Sequence, residues 1–172
     1  GPVSERHRRH LGCLRRRRQA GERKVGPGVL EARGDLILFS DADLSTPISE
    51  VEKLLPWIAG AADIVIGSRF VMGGGMEQQW RYNASFLFNF FVRIVLHTQI
   101  QDNLCGFFTM RRDKLMAMDM DHIFQGYGDY FMHLLFLAWR QHYTILEVPA
   151  FYRVRPYGQS KSRFFAMAYH YT

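Results

Sequence analysis

Hydrophobic and polar positions along the chain change period several times, and each change marks an element. The run DLILF, 35–39, is continuously apolar after its first residue, as in a central strand covered on both faces. Thr46 is placed to cap a helix with Pro47 at its first position, and Ile48, Val51, Leu54, Leu55 and Ile58 then recur at helical spacing until Gly60. A second apolar run, DIVIG, occupies 63–67. Strand, helix and strand at this spacing predict a right-handed crossover unit of an α/β sheet.

The remaining pattern is less regular. Three consecutive glycines at 73–75 predict a loop that moves. A helix is predicted over about 82–96, then a turn with a short strand around TQIQDNLCGFF and a short helix near 112–118. YFMHLLFLAWRQ, 130–141, reads as an apolar helix; YTILEVPAFYRV, 143–154, reads as an extended segment that Pro149 confines to a sheet edge or a bulge. FLFNFFVRIVL, 86–96, is too short to span a bilayer and carries Arg93. Of a buried helix and one lying in a membrane interface, burial is the expectation.

Composition bounds these elements to one domain. A chain of 172 residues with 48% hydrophobic and 15% aromatic residues can bury a real core. The net charge of +6 suggests a nucleic-acid partner until it is divided: residues 1–24 hold nine Arg and Lys against two Glu, whereas the rest holds thirteen basic and fourteen acidic residues. The body is therefore neutral. The arm 1–24 is expected to be solvated or disordered, touching RNA or anionic lipid only nonspecifically. Cys13 and Cys105 match no metal spacing, which fits a reducing compartment.

Candidate chemistry concentrates in FSDADLSTP, 39–47. On an extended segment, Asp41 and Asp43 point the same way while Ala42 turns aside. Their place at the carboxyl end of a parallel strand is where open α/β sheets bind ligands. Two carboxylates held together repel, and a Mg²⁺ or Mn²⁺ ion shared with a diphosphate relieves this. The plainer alternative is that Asp43 caps the following helix. Arg69, Arg81 and Arg155, with Lys161 nearby, all fall in loops or at element ends, and guanidinium forks suit phosphate oxygens. One metal and several arginines imply two anionic groups.

GDLILFSDADLSTP, ADIVIGSRF, GGGMEQQWRYNAS, DNLCGFFTMRRDKL, GYGDYF and ILEVPAFYRVRPYGQSK follow one another in the order found in family 2 glycosyltransferases of the dolichyl-phosphate mannose synthase type. The chain resembles that family over about residues 26–163, and its closing YGQSK resembles the family's Tyr-Gly-Glu-Ser-Lys. The resemblance implies a partial GT-A fold, a Rossmann-like α/β sheet with flanking helices. It also implies inverting transfer of a sugar, usually mannose from GDP-mannose, to a polyprenyl or dolichyl phosphate. The expected place is the cytoplasmic face of the plasma membrane or endoplasmic reticulum, with a membrane surface but no specific nucleic acid as partner.

By position, Asp41 and Asp43 resemble the acidic motif that holds metal and donor diphosphate, and Ser45 stands where many relatives have a metal-assisting glutamine. Arg69, Arg81, Ser85 and Arg155 resemble the acceptor-phosphate and active-site contacts. Asp102 is expected to organise the acceptor side, and Ser160 and Lys161 belong to the closing motif. Asp129 and His133 stand near where the family has an acidic residue; a helix cap and a core histidine are the expectations for them. The family's N-terminal nucleotide-binding half is expected to be missing. This divides the chain into the arm 1–24, a catalytic domain 25–163 and the start of a helix or tail, 164–172. The rivals are a relative using UDP-glucose or UDP-GlcNAc, and an inactive fragment whose basic arm binds RNA or acidic lipid.

Overall fold

The computed structural model describes residues 11–15, 25–124 and 130–154. Asp129, Arg155, Ser160 and Lys161 lie outside them, as do residues 164–172.

In chain order the elements are β1 (Leu11–Arg15), α1 (Val25–Glu31), β2 (Leu36–Ser40), a 3₁₀ turn (Ile48–Glu50), α2 (Val51–Ala59), β3 (Ile64–Ser68), β4 (Gly75–Met76) and α3 (Gln79–Leu96). Then come β5 (Phe108–Arg111), α4 (Arg112–Met116), α5 (Met120–Ile123), α6 (Tyr130–Arg140), β6 (Ile145–Pro149) and β7 (Phe151–Tyr152). Five strands form one sheet in the order β1-β2-β5-β3-β6, and β4 pairs with β7 in a second, two-stranded sheet.

The apolar runs become strands buried along their whole length: β2 and β3 expose no residue. They do not neighbour each other as the crossover pattern alone suggests. β5 lies between them, antiparallel to both, with Ile37 opposite Met110 and Ile64 opposite Met110 on its other side. The sheet is therefore mixed, with parallel pairs only at its two margins, β1 on β2 and β6 on β3. The proline rule holds, since β6 ends at Pro149 on a sheet edge.

Helices cover the sheet through stripes at helical spacing. α2 buries Leu54, Leu55 and Ile58 against β3 and β5, and α6 buries Phe131, Leu134, Leu135 and Ala138. Phe39 stacks on Phe108 with centroids 4.4 Å apart, and Phe131 meets Phe108 at 4.7 Å. Each such side chain contributes about 2 kcal/mol by leaving water.

Three expectations are corrected. Residues 11–15, within the presumed solvated arm, pair in parallel with β2 from Leu11↔Leu36 to Arg15↔Ser40. Most of the arm's few apolar residues, Leu11, Cys13 and Leu14, fall in that stretch. Thr46 does not cap the helix: Pro47 precedes the 3₁₀ turn without a side-chain hydrogen bond, and α-helical geometry begins at Val51.

The glycines at 73–75 also serve close approach. A Cβ on Gly74 would run into the Ser68 carbonyl, Gly73 has φ +89°, and the Gly75 amide donates to Ala150 O at 3.1 Å. Finally, the apolar stretch 86–96 is not buried. In α3 the buried positions are Ser85, Asn89 and Val92, while Phe86, Leu87, Phe90, Phe91, Ile94 and Val95 are all more than half exposed.

Candidate functional site

The acidic motif sits just past the end of β2, but as a turn and not as extended chain. β2 ends at Ser40, and the Leu44 amide donates to Asp41 O at 3.1 Å. Strand alternation therefore does not set the two carboxylates; they stand on a turn. The Ser45 amide donates to Asp43 Oδ1 at 3.1 Å, and Leu44 takes the left-handed conformation at φ 53°. For a leucine that conformation costs about 1 kcal/mol. Asp41 and Asp43 are both half-buried, and Ser45 is buried.

Two distant segments close on this turn. Gly106 lies against Asp41 so tightly that a Cβ at 106 would overlap the carboxylate, with Oδ1 at 2.7 Å. From the other side, the Arg153 amide donates to Ser45 O at 2.8 Å. Two further carboxylates steady that closing segment: Glu77 Oε2 accepts the Val154 amide at 2.5 Å, and Glu50 Oε2 accepts the Phe151 amide at 3.3 Å. The described chain thus runs beside the acidic turn up to the residue before Arg155.

Arg69 is buried and already paired with a carboxylate. Its Nη2 donates to Asp102 Oδ1 at 2.6 Å and its Nε to Asp102 Oδ2 at 2.8 Å, with its own amide on Oδ2 at 3.0 Å. Both residues are buried, and the guanidinium lies 5.1 Å from the ring centroids of Phe70 and Tyr152. Burial works against the arginine's charge, and Asp102 more than offsets it, so its pKa rises. The pair organises the loop 102–106, since Asp102 Oδ1 also accepts the Leu104 amide at 3.3 Å. Asp102 thus holds this loop together, with Arg69 as its partner.

Ser85 is buried on the inner face of α3, and Asn89, one turn on, donates to Ser85 O at 2.9 Å and accepts the Asn103 amide at 2.6 Å. This ties α3 to the same loop. Arg81 is half-buried near the start of α3, with its guanidinium 5.1 Å from the Trp80 ring centroid. His133 is half-buried on α6.

Sequence reasoning missed Gly106, Glu147, Cys105 and Tyr152. Cys105 Sγ lies 2.9 Å from Tyr152 Oη, 3.1 Å from Gly67 O and 2.9 Å from Phe107 O. Burial pushes both the thiol and the phenol upward in pKa. A legible signal existed for Glu147 alone, an acid in the middle of the apolar run ILEVP. Among the described residues no group of three or more His, Cys, Asp or Glu side chains gathers for a metal. Asp41 and Asp43 offer two oxygen donors, which suits a hard cation that keeps water and substrate oxygens for the rest of its shell.

The sequence profile of the glycosyl transferase family 2 matches residues 13–118. A dolichol-phosphate mannosyltransferase of Pyrococcus furiosus is 31% identical over 154 residues, covering 86% of this chain and 42% of that protein. An undecaprenyl-phosphate mannosyltransferase of Micrococcus luteus is 35% identical over 136 residues, covering 77% of this chain and 55% of that protein. The chain spans about half the length of the curated relatives it matches. Among solved structures, glucosyl-3-phosphoglycerate synthase from Mycobacterium tuberculosis, in complex with Mn²⁺ and uridine-diphosphate-glucose, superposes with a TM-score of 0.56. It is 17% identical, covering 84% of this chain and 49% of that one, a likeness of fold.

Proposed function

Because this chain belongs to glycosyl transferase family 2 and has the GT-A fold, we propose that it carries the acidic site of a transferase moving a sugar from a nucleotide donor to a polyprenyl phosphate. GDP-mannose is the favoured donor, since relatives 31–35% identical to this chain are named for mannosyl transfer to dolichol, undecaprenol and polyprenol phosphates. The observation that carries the reading is the Asp41–Leu44 turn, braced by Gly106 on one side and by Arg153 on the other.

Asp41 and Asp43 would hold Mg²⁺ or Mn²⁺, with Ser45 beside them; the bound ion supplies positive charge that stabilises the departing nucleotide diphosphate. This chain's own residues do the rest by placement. The Asx turn at Ser45 and the left-handed Leu44 aim the carboxylates before any ligand arrives, which lowers the reorganisation needed at the site. An acceptor phosphate is already anionic at neutral pH, so no strong base is required. What it needs is cationic neutralisation. Arg81, Arg155 and Lys161 remain for that task once Arg69 is paired with Asp102, and Ser160 accompanies them in the sequence.

The lipid end of the acceptor points to where α3 works. No helix among the described residues is long and apolar enough to cross a membrane, yet α3 presents six large apolar side chains outward with Arg93 on its flank. Such a helix suits the headgroup boundary of a bilayer, lying in its plane. We place it at the cytoplasmic face. The test of the whole reading is to supply radiolabelled GDP-mannose, UDP-glucose and UDP-GlcNAc in turn with polyprenyl phosphate and Mn²⁺. GDP-mannose label should enter the lipid phase; entry of only a UDP-sugar label reassigns the donor, and entry of none removes the activity.

A further inference from the structure

Glu147 lies on β6 opposite Ile66 of β3, in a stretch that is otherwise apolar. Its carboxylate reaches away from its own strand to the loop that follows α3. Oε2 accepts the Gln101 amide at 2.8 Å and Oε1 accepts the Asp102 amide at 3.0 Å. A hydrogen bond from the Ser68 side chain adds to these. Two successive backbone N–H groups therefore converge on one carboxylate, one per oxygen, an arrangement that only an acceptor at both ends satisfies.

The loop continues the chain of contacts. Asp102 takes the Arg69 fork and the Leu104 amide, the Cys105 thiol is locked between Gly67 O, Phe107 O and Tyr152 Oη, and Gly106 abuts Asp41. Neighbouring groups alternate acceptor and donor from Glu147 to Leu104, so each fixes the next.

We propose that Glu147 is a positioning residue: by seating the amides of Gln101 and Asp102 it presses the 102–106 loop, and with it Gly106, against the Asp41 carboxylate. This deepens the transferase reading and rests on it for the effect on sugar transfer, whereas the clamp itself rests on the contacts. Burial raises the pKa of Glu147, while the amides of Gln101 and Asp102 and the Ser68 hydroxyl oppose that rise. A neutral group of the same shape would consequently be tolerated by the fold but not by the two amides.

Glu147→Gln supplies that group. The glutamine oxygen can accept one N–H, but its NH₂ faces the other donor to donor. The experiment compares this variant with the unsubstituted residue in a Cys13→Ser background, so that Cys105 is the thiol followed. Three readouts are taken: the thermal midpoint, the rate at which dithiodipyridine labels Cys105, and kcat/KM for sugar transfer. The expected result is a nearly unchanged midpoint, labelling about tenfold faster, and kcat/KM lower by about tenfold through kcat.

Unchanged labelling in a folded Glu147→Gln protein would overturn the proposal whatever the activity does. Faster labelling in a protein that transfers no sugar even with Glu147 intact would retain the clamp and remove the transferase reading. Hydrogen exchange on the unsubstituted chain keeps the test decisive if the variant fails to fold: the Gln101 and Asp102 amides should be protected, and exchange as fast as in an open loop would also overturn the proposal.

Discussion

Gly106 packs so closely on Asp41 that no side chain fits between them, although sixty-five residues of sequence separate the two. The contact joins the loop after α3 to the acidic turn after β2, and it makes a one-methyl change informative. Gly106→Ala should displace the Asp41 carboxylate while leaving the buried strands untouched. The expected outcome is a fall of about a hundredfold in transfer rate, with circular dichroism unchanged. A fully active alanine variant would mean that the position of Asp41 does not matter.

Arg69 and Asp102 should behave as a structural pair. Removing one partner of a buried ion pair leaves a buried charge uncompensated, at about 3–5 kcal/mol. Asp102→Asn and Arg69→Lys are therefore predicted to lower stability in urea titrations, the first by most of that amount and the second by less, because a lysine keeps the positive charge and loses only the two-pronged contact. An Arg69→Lys protein of normal stability whose KM for the lipid acceptor alone has risen would instead return Arg69 to the acceptor site.

Cys105 sets an alkaline limit on stability. Burial raises the thiol's folded pKa above its ordinary value of about 8.5, so the stabilising contribution is present below that value. As pH rises beyond it, the unfolded chain releases a proton that the folded chain keeps. Stability should then fall by up to about 1.4 kcal/mol per pH unit for this one group. Cys105→Ala should remove that slope in urea titrations between about pH 8.5 and 10, and an identical slope in both proteins would contradict it.

The outward face of α3 should bind lipid. Replacing Phe90, Phe91 and Ile94 together with serine removes three exposed apolar side chains from that face. Membrane affinity in vesicle flotation is expected to drop by about a hundredfold, because each of the three lost side chains contributes about 1 kcal/mol of burial in the interface. Binding that survives the substitutions and disappears in high salt would place the contact in the basic arm.

The parts of the fold that could be read in sequence are those where local pattern and tertiary burial agree. DLILF and DIVIG are apolar because both sheet faces are covered, and α2 and α6 follow their stripes. The insertion of β5 between β2 and β3 was hidden because strand pairing is nonlocal, and FTMR carries no mark of its neighbours. α3 was misread for a chemical reason. Its inner face carries Ser85 and Asn89, and Asn89 holds the loop by accepting the Asn103 amide, so the apolar stripe is free to face outward.

The site was legible as a set of residue types and illegible as geometry. Asp41 and Asp43 stand just past the end of a strand as their sequence predicts, yet on a turn and not on extended chain. An arginine at an element end reads the same whether it awaits a phosphate or already grips Asp102; only the fold separates these for Arg69. Gly106 gave no signal because its role is the absence of a side chain opposite a residue far away in sequence.

The most direct measurement is transfer of radiolabelled mannose from GDP-mannose into polyprenyl phosphate by the protein carrying this chain, set beside its Asp43→Ala variant, each with and without Mn²⁺. The account predicts label in the lipid phase for the unsubstituted protein with Mn²⁺, and a loss to background on either change. Equal transfer by Asp43→Ala would contradict it.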